Sequence, residues 1–509
     1  MKTRARPGMA LIVVAVVISL LAFSALALSE LMVAERSAAQ VTGQQAQARA
    51  LAESGVEMAR HFLDSDLDTQ NQSGGSYDNK QFCGVLVLDG DTPNERGRFS
   101  ILAPCVDDTS SNTQVRYGLV DESARINLAT VLALDKKKAG AGEQILMTLP
   151  GMTQDIADAI LDWMDAAGKG RADGAESDYY STLAPPYGAR NGMPDTIEEL
   201  LLVRDIAPQL LFGLDSNRNG LLDADEPDSD SLAGIDNSDG SMNCGWAAYL
   251  TLYSAESNLQ SDGTPKINLN QDNLQTLHDA LSAALDGPSA DFICAYRLYG
   301  NNGTIPAAGP DLTQKGSTQF TSVLDLVGAQ MKKASPPSGG KGGPPPPVNV
   351  PSPFPSDTAS MSTYLPKLQD KTTTTSDPFI SGRININQAP QAVLNCIPGL
   401  TPAIIQQILS NRTPDPATAD PSHKYATWLL TDGLVPLSTM KTLMPLVCGG
   451  GSVFRAQVAG YYEDGRPTAR VEAIIDATQR PARVVFWKDL TRLGSGFPLE
   501  VLSGTSVGQ

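Results

Sequence analysis

From Met9 to Ser29 the chain reads MALIVVAVVISLLAFSALALS, 21 residues without a charge. Wound as a helix at ~1.5 Å per residue, that run spans about 31 Å, the thickness of a bilayer core. Apolar or small residues then continue at Leu31, Ala34, Ala38, Val41, Ala48, Ala52, Val56, Ala59 and Phe62. This spacing of threes and fours, with no proline before Pro93, predicts one unbroken helix over 9–63. Its outer half is rich in Ala and Gln, which suits close packing of small residues against neighbouring helices or a sheet.

Alternating patterns sit near the two ends of the remaining chain. RFSILAPCV (98–106) and QVRYGLVDESARINL (114–128) predict a strand pair, and 452–475 alternates around Glu463-Asp464-Gly465 as a hairpin. PARVVFWKDL (481–490) predicts a further strand. Between them the pattern is helical, so the fold class is α+β, with a sheet interrupted by a large α-helical insertion. A phrase recurs in that insertion: Arg125-Ile126-Asn127-Leu128, Lys266-Ile267-Asn268-Leu269 and Arg383-Ile384-Asn385-Ile386. Two copies lead into Leu149-Pro150-Gly151-Met152 and Ile397-Pro398-Gly399-Leu400, each followed by an apolar helix, a helix-hairpin-helix signature. Residues 335–357, SPPSGGKGGPPPPVNVPSPFPSD, predict a flexible or polyproline linker with no core of its own.

Charge narrows the function. The 38 basic and 56 acidic side chains leave −18 at neutral pH, which argues against a phosphate-backbone binder. Around the first hairpin stand Asp155, Asp158, Asp162 and Asp165, so its turn should not hold nucleic acid. The three histidines are far apart, and there is no P-loop, no G-x-S-x-G and no evident nucleophile–base pair. A paired-carboxylate hydrolase lacks a discernible constellation. Composition therefore predicts no enzyme and no small-molecule substrate. The six cysteines, Cys83, Cys105, Cys244, Cys294, Cys396 and Cys448, include no C-x-x-C. In an exported chain they allow up to three disulfides or buried free thiols; sequential pairing is simplest, and a Cys396–Cys448 bridge would clasp the second hairpin.

Asp215, Asn217, Asn219, Leu221, Asp223 and Glu226 occupy positions 1, 3, 5, 7, 9 and 12 of a calcium-type loop. Leu221 would donate its carbonyl, and Gly220 supplies the sharp bend. Proline after the loop and an Asp/Ser-rich stretch replace the second helix, so the expectation is an EF-hand-like loop with a structural Ca2+. A second acidic set, Asp162, Asp165, Asp173, Glu176 and Asp178, forms either another oxygen cage or a solvated surface.

Lys2, Arg4 and Arg6 precede Pro7-Gly8, and Glu30 and Glu35 follow the apolar run, which orients the N-terminus to the cytoplasm. Ala25-Leu26-Ala27 offers signal peptidase an alternative site. The basic leader ending in Gly8, the apolar stretch directly after it and QAQARALAESGVEMA (45–59) resemble a type IV prepilin or type II secretion pseudopilin. In that family a prepilin peptidase cuts after the glycine and methylates the new N-terminus, here Met9. The usual fifth mature residue is glutamate; Val13 stands there, which points to the minor pseudopilin K branch, general secretion pathway protein K.

The resemblance implies a leader at 1–8, a transmembrane and amphipathic helix at 9–63, and the first part of a pilin-like sheet domain at 64–130. An inserted α-domain with the first hairpin and calcium loop would follow at 131–334, then a Pro/Gly-rich linker at 335–380. A second hairpin at 381–450 and closing strands at 451–509 would complete the chain. It implies calcium in the α-domain, I- and J-type minor pseudopilins as partners along residues 31–63, and a place at the pseudopilus tip, initiating assembly and supporting export. It also implies an inner-membrane, single-pass protein with the bulk of the chain periplasmic. Read without the resemblance, the same residues describe a calcium-stabilised, membrane-anchored module that binds another protein.

Overall fold

The structure, a computed structural model, describes residues 7–104, 115–166, 170–229, 232, 234–238, 241–336 and 345–505. The basic leader residues Lys2, Arg4 and Arg6, Cys105, and the glycine-rich centre of the expected linker lie outside the described residues.

Helix α1 runs unbroken from Pro7 to Leu63. Pro7 opens it, where a missing N–H costs nothing, and no later proline interrupts it. It ends where Asp64 and Ser65 bond back to Arg60 and Phe62 and the Arg60 guanidinium reaches Asp64. Among the described residues it is the one helix long and apolar enough to cross a membrane. Its first three turns after Gly8, and indeed every position to Gly43, are exposed; burial begins at Ala48.

That last stretch is the spine of an antiparallel sheet. Its strands are β1 (Val85–Leu88), β2 (Gly97–Pro104), β3 (Val115–Arg116), β4 (Val120–Asp121), β5 (Val453–Tyr462), β6 (Thr468–Asp476) and β7 (Arg483–Asp489). The order is β1-β2-β5-β6-β7, with β3 on β2 and β4 on β5. Val458 lies opposite both Ile101 and Val471. With that register Val458, Ala456, Val471, Ala473 and Ile475 join Ala52, Val56 and Ala59 of α1 in one core. Helix and sheet touch so closely that a Cβ on Gly460 would stand 2.2 Å from the Ala48 carbonyl, and one on Gly55 would stand 2.5 Å from Val458. This corrects an expectation: Ala48, Ala52 and Ala59 are fully buried against the chain's own sheet. They are not a face for partner subunits. The exposed small residues are Ala34 and Ala38.

The opposite face of β5 and β6 carries the helical insertion, and there the repeated phrase shows its role. Each copy forms a two-residue parallel bridge: Ile126-Asn127 with Leu250-Thr251, Ile267-Asn268 with Thr372-Thr373, and Ile384-Asn385 with Val447-Cys448. In all three the asparagine Oδ1 accepts the N–H two residues on, from Ala129, Asn270 and Asn387. The insertion is thus three modules, each pinned closed where it opens. The first holds α2 (Leu128–Lys137), α3 (Ala141–Leu146) and α4 (Gln154–Met164); the second holds α5 (Leu274–Ala284), α6 (Gly287–Tyr299) and α7 (Thr358–Lys371); the third holds α8 (Gln391–Leu394) and α9 (Pro402–Asn411). The α3–α4 and α8–α9 turns pass through Gly151 (φ 69°) and Gly399 (φ 96°), a conformation that a Cβ penalises. One continuous apolar core runs through all three modules.

The linker expected over 335–380 is folded from residue 345 onward. Val348–Pro351 pairs antiparallel with Gln330–Lys333, and Asp357 caps α7 by accepting the Ser360 N–H. Burial of Met361, Leu365 and Leu368 then fixes α7 in the core despite Pro366 within it.

Candidate functional site

The calcium-type loop begins where a short helix, Pro208–Phe212, stops at Gly213. Gly213 has φ 65° and lies against Asn243, so close that a Cβ would meet the Asn243 carbonyl at 1.8 Å. Leu214 then donates to that carbonyl. The chain therefore enters the loop from a fixed position.

Within it, Asp215 Oδ1 accepts the Asn219 N–H at 3.1 Å and Oδ2 accepts the Gly220 N–H at 2.9 Å. Asn217 Oδ1 accepts from Asn219 N, and Asn219 Oδ1 accepts from Leu221 N. The amide groups of Asn217 and Asn219 both donate to Asp223 Oδ2, at 2.7 and 2.8 Å. Glu226 closes the turn, accepting from Ser216 N at 2.9 Å and Asp223 N at 3.1 Å. Burial pushes the Asp215 carboxyl up, while the Gly220 and Asn219 N–H groups pull it back.

The side-chain oxygens of positions 1, 3, 5, 9 and 12 all belong to one tight turn, where each is engaged in the hydrogen bonds of the loop itself. Among the described residues no three His, Cys, Asp or Glu side chains close on a common point. Two of the five side-chain positions are asparagines, and Glu226 is turned onto backbone amides. A bound Ca2+ would take oxygens from Asp215, Asn217, Asn219, Asp223 and Glu226 and the Leu221 carbonyl, replacing these internal hydrogen bonds with charge neutralisation.

The loop's outer side is held by the sheet. Gln457 on β5 donates to the Arg218 carbonyl at 2.9 Å, and Arg470 on β6 donates to the Asn217 carbonyl. Asn219 donates to the Gly496 carbonyl, and Gly220 presses so closely on Pro104 of β2 that a Cβ would lie 2.4 Å from the proline's. Arg218 (φ 60°) places its guanidinium 3.9 Å from the Phe212 ring centroid and pairs with Glu198, which Lys488 of β7 also reaches.

A buried ionic knot sits where β4 enters the first module. Glu122 has no exposed surface; it pairs with Arg455 at 2.7 Å and Arg125 at 3.6 Å and accepts from the Thr251 hydroxyl. Burial opposes its charge, yet Arg455 and Arg125 hold the carboxyl below its usual range. Beside it Asp121 accepts from Gly451 N, Ser123 N and Asn385 Nδ2, and burial drives its carboxyl up. Sequence reading missed this knot, although Arg125 belongs to the repeated phrase.

The second acidic set is arranged differently from a shared cage. Asp162, 1% exposed, is held by the Arg171 backbone and guanidinium, and Arg171 reaches on to Asp135 at 2.7 Å. Asp165 pairs with Lys136 at 3.2 Å. Asp173 and Asp178 are exposed, and burial with Asp162 nearby raises the Glu176 carboxyl.

Of the two readings of the cysteines, the described residues show the unbridged one. Cys83, Cys244, Cys294, Cys396 and Cys448 are free thiols. Cys396 meets the Thr148 hydroxyl, Cys448 faces the Arg383 carbonyl, and Cys244 lies 3.7 Å from Asp215 Oδ2, so the 396–448 clasp and a 244–294 bridge are not formed. The third pair would need Cys105, outside the described residues. At the other end of the molecule, Gly8 and Met9 lie in the first turn of α1 with open space around Gly8 and Met9 69% exposed.

Residues 124–215 match a family described as type II secretion system (T2SS), protein K. The chain is also similar to a chain of the crystal structure of the GspK–GspI–GspJ complex from the enterotoxigenic Escherichia coli type 2 secretion system. The identity is 12%, the TM-score is 0.35, and the match covers 90% of this chain and 98% of that one. None of the curated proteins matches it.

Proposed function

We propose that this chain, which belongs to the protein K-like minor pseudopilins of type II secretion systems, works as the tip subunit of a pseudopilus. In this reading it is a structural, non-catalytic member of that family, anchored through the apolar N-terminal helix. The observation that carries the tip reading is the two-sided cover of the sheet. One face is filled by α1, and behind β5 and β6 the other is covered by the chain's own modules and C-terminal helix, which leaves the exposed side of α1 and the sheet edges open to neighbours. Val13 adds to this: a subunit with no neighbour above has no terminal amine for a mid-membrane carboxylate to meet, and an unpaired one costs about 2.5–3.5 kcal/mol.

In this reading a prepilin peptidase cuts between Gly8 and Met9 and methylates Met9, the N-terminus faces the cytoplasm, and the modules lie in the periplasm. Other minor pseudopilins, of the I and J type, pack along the exposed part of α1 around Ala34 and Ala38, and this group initiates assembly. The hairpin turns at Gly151 and Gly399 serve protein packing. The loop 215–226 holds a structural Ca2+; at an extracellular-type affinity of about 10⁻⁴–10⁻³ M it would fill wherever calcium is millimolar.

Labelling settles the position. A tag inserted after Ser503 should mark one end of purified pseudopili, and deletion of the chain should stop export or release control of pseudopilus length. A tag distributed along the shaft would sink the tip assignment.

A further inference from the structure

Three contacts tie the loop 215–226 to the sheet, in addition to those it makes within its own module, and two of them fall on consecutive carbonyls, those of Asn217 and Arg218. We propose that ion occupancy of this loop and the seating of the first module on the sheet are one coupled equilibrium, transmitted through those two carbonyls to Arg470 and Gln457. This rests on the assignment of the loop as a calcium site.

Arg470 is the unusual residue. It is completely buried, yet its Nε and Nη1 find no hydrogen-bond partner among the described residues. Its guanidinium lies 5.7 Å from the Phe497 ring centroid and is wedged against Gly496, where a Cβ would come within 1.9 Å of Nη1. A buried donor left unmet is costly, so the one carbonyl this side chain reaches matters to it beyond the attraction of the Asp215 and Glu472 carboxylates. It therefore tracks the position of Asn217. The same Gly496 offers its carbonyl to Asn219, so the loop, the Arg470 side chain and the segment before the C-terminal helix Leu499–Ser503 share one contact point.

The seam also has room to change. A cavity of about 170 Å³ lies along it, lined by Asp215, Arg218 and Gly220 on the loop side and by Arg455, Gln457 and Glu472 on the sheet side. This space is partly open to solvent and leaves loop and sheet less than close-packed against each other, so the interface can close further or open there. An ion drawing in the oxygens of Asp215, Asn217 and Asn219 must fix the backbone between them. That backbone carries the two carbonyls the sheet holds. By reciprocity, whatever the ion adds to the seating, the seating adds to the ion's affinity.

Hydrogen exchange on the full chain in detergent, with Ca2+ itself as the probe, tests this, alongside calcium titration of the same samples. Calcium should slow exchange in 215–226 and also in 494–503, about 280 residues away in sequence. Gln457→Leu, which removes a neutral donor, should weaken calcium affinity about 3- to 10-fold and abolish the transmitted protection of 494–503. Arg470→Lys, which keeps the charge but loses the planar donor fork, should do the same; agreement of the two variants guards against a folding defect in either. Protection confined to 215–226 with unchanged affinity in both variants would overturn the coupling and leave the calcium site standing. No calcium response in either segment would remove the site and the coupling together.

Discussion

Glu122 accepts the Nε–H of Arg455 at 2.7 Å on a carboxylate with no exposed surface, joining the start of the first helical module to β5. Removing one partner of such a pair strands the other charge, at a cost of about 3–5 kcal/mol. Glu122→Gln should therefore lower the denaturation midpoint sharply, while Arg455→Met with Glu122→Met, which removes both charges, should cost much less. The pH dependence separates this residue from its neighbour. Glu122 has a lowered folded-state pKa, so its contribution is complete above the unfolded value near 4.3 and is lost as pH falls through the folded one. Asp121 has a raised one, so folding takes up its proton and stability declines as pH rises through that value. The stability gap between wild type and Glu122→Gln should shrink on acidification, and that for Asp121→Asn should widen. Denaturant titrations between about pH 3 and 7 measure both. Parallel gaps would refute the assignment.

Buried thiols make a second expectation. Burial pushes Cys294 up to about 12 and Cys396 up to about 11, and raises Cys244 and Cys448 well above the ordinary thiol range. Two units on Cys396 alone reduce its thiolate at neutral pH by about a hundredfold. In the native chain these four should label slowly, and denaturant should release all of them at once. Peptide mapping that found Cys396 joined to Cys448 would overturn this.

Much of this architecture is legible in the chain because its strongest signals are long or densely spaced. Helix α1 repeats its pattern for 57 residues, and the β5–β6 hairpin alternates around Asp464-Gly465. The middle module was not legible. Its helices α5 and α6 are joined through Leu285-Asp286-Gly287-Pro288 in place of an apolar-Pro-Gly-apolar turn, and α7 begins just after a proline run and contains Pro366. The bridges that close each module are two residues long on the partner side, too short for any periodicity. Small residues misled for a physical reason. Ala48, Ala52 and Ala59 are small because a backbone must come close, and sequence does not say whether that backbone belongs to this chain or another.

Processing is testable at single-residue resolution. N-terminal sequencing of the mature chain should find methylated Met9. A start at Leu28 would mean signal peptidase acts after Ala27 and would remove the anchored helix. Gly8 sits in open space in the helix, so Gly8→Leu disturbs no packing, and its effect can be assigned to the peptidase: the leader should stay on while the fold is unchanged.

The two halves of α1 should respond differently to bulk. Ala52 is completely buried against the sheet, and a Cβ at Gly55 would already stand 2.5 Å from Val458 and 2.8 Å from Phe99. Ala52→Trp or Gly55→Leu should therefore destabilise the chain itself by about 1–3 kcal/mol or more, whether or not partners are present. Ala38 is exposed, one face of a helix with no neighbour from its own chain. Ala38→Trp should leave the melting temperature unchanged and weaken co-purification with the other minor pseudopilins. The comparison separates folding from assembly, since a substitution acting only on the subunit seam cannot move the isolated chain. If Ala38→Trp bound its partners as wild type does, and Ala52→Trp alone abolished binding, the partner face would lie elsewhere, on the edges offered by β1 and β7. There Leu86, Val87, Leu88, Val485 and Trp487 are the exposed apolar side chains left to serve it.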